Sequence, residues 1–271
     1  LSPPKEKERE MRLSAGCELV LEVDSPYPVP LILMLSPSTS ETQWLAEERH
    51  TLTPQVPVRE YIDSFGNRCQ RLHAPPGRFV ITTEVVAETA PARESAPGAP
   101  LNLVAELPDS ALQFLLPSRY CPSDLLGTLA LEVAQGYLPG YDQVAGICRW
   151  INQNIQYCYG TSDTSTSALE TARDRSGVCR DFAHLGIALC RSLTIPARMV
   201  VGYLYELKPM DMHAWFEAFV GGRWYTFDPT QAQASGGRIA VAVGRDAADV
   251  ALLTQFGPAL LTEMRVWVER A

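Results

Sequence analysis

The sequence predicts an α+β chain: an N-terminal β-sandwich, residues 1–115, followed by a domain of helices and antiparallel strands, residues 116–271. Three observations carry that prediction. Residues 13–115 break into short apolar or alternating segments separated by Pro, Gly, Ser and Asn, the pattern of strands between turns. After Tyr120-Cys121-Pro122-Ser123-Asp124, a helix-start signal, the hydrophobic period lengthens to that of helices. Residues 212–220 then alternate again and run into Gly221-Gly222, a strand entering a hairpin turn.

Composition narrows the function classes. A chain of 271 residues can form one large domain or two of ordinary size. Acidic residues outnumber basic ones 31 to 23, a formal net charge of −8, and the densest basic stretch, 5–12, alternates with glutamates as a solvated tail does. Nucleic acid is therefore not an expected partner, because phosphate binding needs clustered Lys and Arg. No apolar run approaches the ~18 residues of a membrane span, and the longest, 30–35, is strand-sized. The first residues are polar and carry no secretory signal pattern. Seven cysteines, an odd number without a CxxC pair, read as reduced thiols of a cytoplasmic protein and not as a zinc cage or disulfide framework.

In chain order, strands are expected at 17–23, 29–35, 55–65, 68–73 and 79–87, and the Pro- and Ala-rich stretch 90–100 is a loop. Leu125, Leu129, Ala130 and Val133 are spaced for one helix, and Val144, Ile147, Cys148, Ile151 and Ile155 for a second, with Trp150 as a core aromatic. Residues 160–167 form a polar loop.

The stretch that carries chemistry is 176–193. Phe182, Leu185, Gly186, Leu189, Cys190 and Leu193 lie on one face of a helix, and Ser176-Gly177 breaks the chain just before it. Cys179 thus falls in the first turn, where free backbone N–H groups and the positive end of the helix dipole favour a nucleophilic thiolate and can hold an oxyanion. Cys190, on the apolar face of the same helix, is expected to be inert.

A thiolate nucleophile needs a base, and the sequence holds four histidines. His184 is rotated by about 140° from Cys179 on the helix and is expected to be a partly buried structural residue. His50 and His73 fall in the sandwich with no acidic partner at a readable spacing. His213 remains. It shares a strand face with Trp215, Glu217 and Phe219. A two-residue Gly-Gly turn pairs Val220 with Arg223, Glu217 with Thr226 and Trp215 with Asp228. Asp228 is then the diagonal neighbour of His213, within reach of a hydrogen bond that fixes the imidazole tautomer. Pro229 ends that strand. No local spacing brings Cys179 to His213.

Four segments carry a family resemblance: Gly-Val-Cys-Arg-Asp-Phe-Ala-His at 177–184, Ile-Pro-Ala-Arg-Met-Val-Val-Gly-Tyr at 195–203, His-Ala-Trp-Phe-Glu-Ala-Phe at 213–219 and Trp-Tyr-Thr-Phe-Asp-Pro-Thr at 224–230. They resemble the core of the transglutaminase-like superfamily, in its bacterial branch of cysteine proteases, over residues 145–230. The resemblance implies a papain-like α+β core with Cys179 as nucleophile, His213 as general base and Asp228 as orienting acid, the nucleophile helix packing on the sheet that bears the other two. It also implies that 243–250 and a strand at 262–269 complete that sheet. The segment 208–212, Lys-Pro-Met-Asp-Met, matches no substrate-selecting pattern.

The expected activity is thiol-dependent hydrolysis of an amide in a peptide or protein substrate, through a thioester on Cys179. The alternatives are a protein-glutamine transglutaminase, in which an amine resolves the thioester, and a non-catalytic binding module on the same fold. Neither a metal nor another cofactor is expected, since no calcium-binding loop pattern occurs. Tyr157, Tyr159 and Trp215 are candidate aromatics for the cleft wall, although core packing accounts for each as well.

Overall fold

The computed structural model describes residues 11–231 and 236–271. β1 (Met11–Val23) turns Leu13, Ala15, Cys17, Leu19, Leu21 and Val23 inward while Glu18 and Glu22 face out. β2 (Val29–Ser36) buries Val29, Leu31, Leu33 and Leu35. β3 (Gln43–Thr53), β4 (Arg59–Ile62), β5 (Arg68–Ala74) and β6 (Gly77–Thr89) follow. This period of two is what a sheet with one buried face requires.

The helical part begins with the single turn α1 (Asp109–Leu112), followed by α2 (Gly127–Ala134) and α3 (Tyr141–Asn154). A two-residue strand, β7 (Gln156–Tyr157), pairs in parallel with β8 (Ser176–Gly177) across the short helix α4 (Ala168–Asp174). Next come α5 (Cys179–Ser192), β9 (Ala197–Leu204), β10 (His213–Val220) and β11 (Arg223–Phe227). The last strands are β12 (Arg238–Gly244), β13 (Leu253–Gln255) and β14 (Ala259–Arg270).

Three four-stranded sheets result, in the orders β14-β1-β6-β3, β13-β2-β5-β4 and β11-β10-β9-β12. The first two share the sandwich core, with Leu13, Leu19, Leu31, Leu33, Leu72, Phe79 and Ile81 at its centre. The third lies between that sandwich and the helices. Tyr203, Ile239 and Val241 enter the sandwich core, whereas Met199, Val201 and Phe216 join the core under α5. Gly186 permits the close approach of α5 to β10, since a Cβ there would stand 2.4 Å from the Phe216 ring. Among the described residues no helix is long and apolar enough to cross a membrane.

Three expectations need correction, and two elements went unforeseen. The expected strand at 55–65 shrinks to Arg59–Ile62, and β3, at Gln43–Thr53, went unforeseen. β3 is an edge strand whose middle, Glu47 to Arg49, is exposed, so it lacks the apolar alternation that marks a strand in sequence. α4 was likewise missed; its signal was Ser167 three residues before Glu170, a capping box in which each side chain accepts from a backbone N–H of the other's turn. The strand expected at 262–269 exists, but it pairs with β1 in the sandwich and not with the sheet bearing His213, and the sheet is closed on β9 by β12 at Arg238–Gly244, of which the expected 243–250 keeps only its first two residues. Strand periodicity reports which faces are buried, not which neighbour a strand adopts.

Candidate active site

Cys179 is the first residue of α5, as its position after Ser176-Gly177 predicts. The first turn is fixed by Asp181, whose fully buried carboxylate accepts the Val178 N–H at 2.9 Å and is clamped by Arg180 at 3.1 and 3.2 Å. Arg180 also donates to the carbonyl of Asp163 at 2.7 Å, tying the polar loop to the helix start. The β7–β8 pairing continues with Cys158 N–H donating to Gly177 O at 2.9 Å, so Tyr157 and Tyr159 are carried past the nucleophile.

His213 opens β10. Gly221 and Gly222 adopt φ of 58° and 83°, the left-handed pair that a tight hairpin turn demands. The ladder follows: Val220 opposite Arg223, Glu217 opposite Thr226 and Phe216 opposite Phe227, so the chain leaves β11 at Asp228 beside His213. Asp228 Oδ2 lies 2.9 Å from His213 Nε2, with both side chains almost wholly buried. Trp215 stacks beside the imidazole with ring centroids 6.1 Å apart, and it is buried, so it supports the histidine and does not line the cleft.

Two partners of Asp228 were not foreseen. Arg238 of β12 donates to the same Oδ2 at 2.8 Å, and Thr230 donates to Oδ1 through its hydroxyl at 2.7 Å and its N–H at 3.1 Å. The Thr230 contact is a local turn motif and was readable from Asp-Pro-Thr. Arg238 arrives from another strand, and no spacing points to it. Together these donors hold the Asp228 carboxylate far below the usual carboxylate range, although burial opposes its charge. Burial likewise disfavours a charged His213, but the hydrogen bonds to Asp228 and to the Cys179 thiol outweigh it, raising the imidazole to about 9. With Nε2 engaged by Asp228, the Nδ1 side of the ring is left for the sulfur.

Cys179 and His213 open into one cleft of roughly 520 Å³. One wall is Tyr157, Tyr159 and Phe182; the opposite wall is Leu207, Lys208, Pro209, Asp211 and Met212, with Thr230 and Gln231 at one end. The segment that matched no sequence pattern therefore faces the candidate nucleophile. The Tyr157 hydroxyl is in hydrogen-bonding reach of the Cys179 backbone N–H and of Tyr159, and burial and the neighbouring sulfur push it up, keeping the phenol neutral.

The other candidates lie elsewhere. Cys190 is fully buried and its thiol is pushed well above the ordinary range by burial. His184 is completely buried, Nε2 accepting from Ala247 N–H at 3.1 Å, and burial holds its imidazole down at about 4. His50 corrects an expectation: it has an acidic partner, Glu48 Oε1 at 3.0 Å, two residues earlier on the same face of β3. That pairing was invisible because β3 was. Trp150 is half-buried, with the Arg175 guanidinium 4.7 Å from its ring centroid. Among the described residues no group of three or more His, Cys, Asp and Glu side chains could hold a metal ion.

With this geometry in hand, comparison with known proteins is decisive. Residues 127–229 match the profile of the transglutaminase-like superfamily. A solved protein of Cytophaga hutchinsonii is 35% identical, with a TM-score of 0.87 over 96% of this chain and 90% of that one. The chain belongs to the transglutaminase-like superfamily. Relatives of uncharacterised function extend the likeness along most of the chain. ML0607 of Mycobacterium leprae is 31% identical over 234 residues, 81% of this chain and 83% of its own length. Rv2569c of Mycobacterium tuberculosis is 29% identical over 254 residues, 80% and 77% of the two chains. The family profile spans Cys179, His213 and Asp228 together with α2 to β11, while the Cytophaga likeness also covers the sandwich.

Proposed function

We propose that the chain is a thiol-dependent amide hydrolase, a cysteine protease or amidase, with Cys179 as nucleophile, His213 as general base and acid, and Asp228 as the group that orients the imidazole and stabilises its charge. The observation that carries this reading is the buried 2.9 Å contact between His213 and Asp228 beneath a cleft that also exposes Cys179. The solved Cytophaga relative, described as a candidate cysteine protease, supports the same reaction class.

His213, facing the sulfur, takes the proton of the Cys179 thiol. Cys179 Sγ attacks the amide carbonyl carbon, a C–S bond forms, and the carbonyl oxygen becomes an oxyanion. The Cys179 N–H at the start of α5 and the neutral Tyr157 hydroxyl beside it are the candidate donors to that oxyanion. His213 passes its proton to the leaving amine as the C–N bond breaks, leaving a thioester. The neutral imidazole then takes a proton from water, which attacks the thioester carbonyl and releases the acid and the thiolate. The seven cysteines, all unpaired thiols, fit a reducing compartment, and we place the protein in the cytoplasm.

The test is profiling with peptide and glutamine-amide libraries, wild type against Cys179→Ala, with and without an added primary amine. Hydrolysis lost in Cys179→Ala supports the reading. Preferential transfer to the amine, as in a protein-glutamine transglutaminase, overturns hydrolysis as the function. No thiol-dependent turnover of any amide overturns the enzyme reading and leaves a binding module.

A further inference from the structure

The three four-stranded sheets end in six edge strands, and among the described residues five of these are blunted. β3 is bulged between Leu45 and Glu47 and then runs through exposed charges. β4 and β13 are only four and three residues long, and β11 ends one residue before Asp228-Pro229. β12 is bulged between Ala240 and Ala242, and the side-chain amides of Gln43 and Asn67 pair with the backbone N–H and C=O groups of Ala240 and Val243. Such devices keep edges from pairing with other chains.

The sixth edge, β14, has a bulge near Thr262 and exposed charges at Glu263, Arg265, Glu269 and Arg270, but it is twelve residues long and, among the described residues, has no side-chain clasp like those on β12. From Glu263 to Arg270 it runs in unbroken register against β1 on one side, with no Gly, Pro or Lys. Val266 and Val268 turn toward the sandwich core, so Arg265, Trp267 and Glu269 share the outer face, where Trp267 lies against Gly16. Read outward from Trp267, the strand is self-complementary in the antiparallel sense: a valine on each side, then Arg265 in one direction and Glu269 in the other.

We propose that β14 joins two copies of this chain, antiparallel about a two-fold axis through Trp267, merging two four-stranded sheets into one of eight strands. In this register Arg265 faces the partner's Glu269 and Val266 faces the partner's Val268, each contact occurring twice by symmetry, while Trp267 faces the partner's Trp267 once, on the axis. Opposite charges, β-branched pairs and aromatic pairs are the favourable cross-strand combinations. Antiparallel pairing allows slips only by steps that keep outward backbone groups opposed. The two nearest such slips in one direction set Glu263 against the partner's Glu269, or Arg265 against the partner's Arg265. Like charges therefore oppose both of these slips, and the complementary register is the one that sets Arg265 and Glu269 each against its opposite charge.

Sedimentation velocity of the full chain over a concentration series tests the proposal. Wild type is expected to pass from 29.9 kDa to twice that mass as concentration rises. Glu269→Arg and Arg265→Glu, both at exposed positions, should each weaken the dimer by about tenfold or more, since two pairs are reversed at once. An equimolar mixture of the two variants should recover the dimer, because each then offers the charge the other lacks. Unchanged melting temperatures exclude misfolding as the cause. A wild type that stays at 29.9 kDa at every concentration overturns the proposal, including the case in which only an added extended peptide occupies the edge. A dimer indifferent to the variants, or a mixture that stays monomeric, overturns it too.

Discussion

Replacing Asp228 by Asn removes a charge with almost no change in shape, and the structure sets out what is lost. The carboxylate is fully buried and accepts from His213, Arg238 and Thr230. Against the burial that opposes its charge, His213 stands at about 9, above its ordinary 6.5, through Asp228 first and Cys179 second. That displacement corresponds to roughly 3 kcal/mol favouring the imidazolium. Without the carboxylate, burial dominates and the imidazole returns to 6.5 or below. The alkaline limb of kcat/KM, near pH 9 in wild type, should then move down by about two pH units, and the maximal rate should fall by about 10²-fold or more, the usual share of a positioned acid–base group. Stability has the matching sign. A raised His213 contributes stability that is complete below about pH 6.5 and lost as pH rises through about 9, so wild type should weaken across that window and Asp228→Asn should not. The variant should also be less stable at pH 7, by about 3 kcal/mol, because the Arg238 guanidinium keeps its burial without its counter-charge. The assays are a pH–rate profile on an amide found by library profiling, and denaturant unfolding at a series of pH values. An alkaline limb that stays near 9 in the variant would refute the assignment of Asp228 as the group that charges His213.

Three further outcomes are expected. Iodoacetamide near pH 6 should label Cys179 quickly, and Cys190 and Cys121 slowly, since both are buried and Cys121 is pushed up to about 12; peptide mapping reads the order. His184→Ala should lower the melting temperature, by about 1–3 kcal/mol of stability for the orphaned Ala247 N–H, with kcat nearly unchanged. Its imidazole is held at about 4, so the wild-type protein also loses stability as pH falls from about 6.5 toward 4, a slope that the alanine variant should lack. Excess EDTA should leave turnover intact, and loss of activity that calcium restores would contradict a mechanism built on these side chains alone.

What the sequence revealed of this site follows from how local each constraint is. The His213–Asp228 contact was readable because Gly221-Gly222 fixes a turn, the turn fixes a register, and the register fixes a diagonal. Cys179 at a helix tip was readable because the apolar spacing from Phe182 to Leu193 and the Ser-Gly break define one helix and its start. The approach of Cys179 to His213 was not, since it depends on α5 packing on β10 through Gly186 and Phe216, a contact between distant segments. Arg238 was hidden for the same reason. The sandwich was legible where strands bury one face, as in β1, β2 and β6, and illegible at β3, where Glu47, Glu48 and Arg49 face solvent. The destination of β14 was misread because its alternation suits any sheet. The wall at Lys208 to Met212 was passed over because a loop's role in a cleft is a matter of position, and its residues carry no periodic signal.

Intact-protein mass spectrometry during turnover of a peptide ester or activated amide, quenched in acid and followed by peptide mapping, tests the catalytic assignment most directly. The account predicts one acyl group per chain, carried as a thioester on Cys179, absent from Cys179→Ala and reduced in Asp228→Asn. Steady turnover with no covalent adduct, or an adduct on any residue other than Cys179, would contradict it.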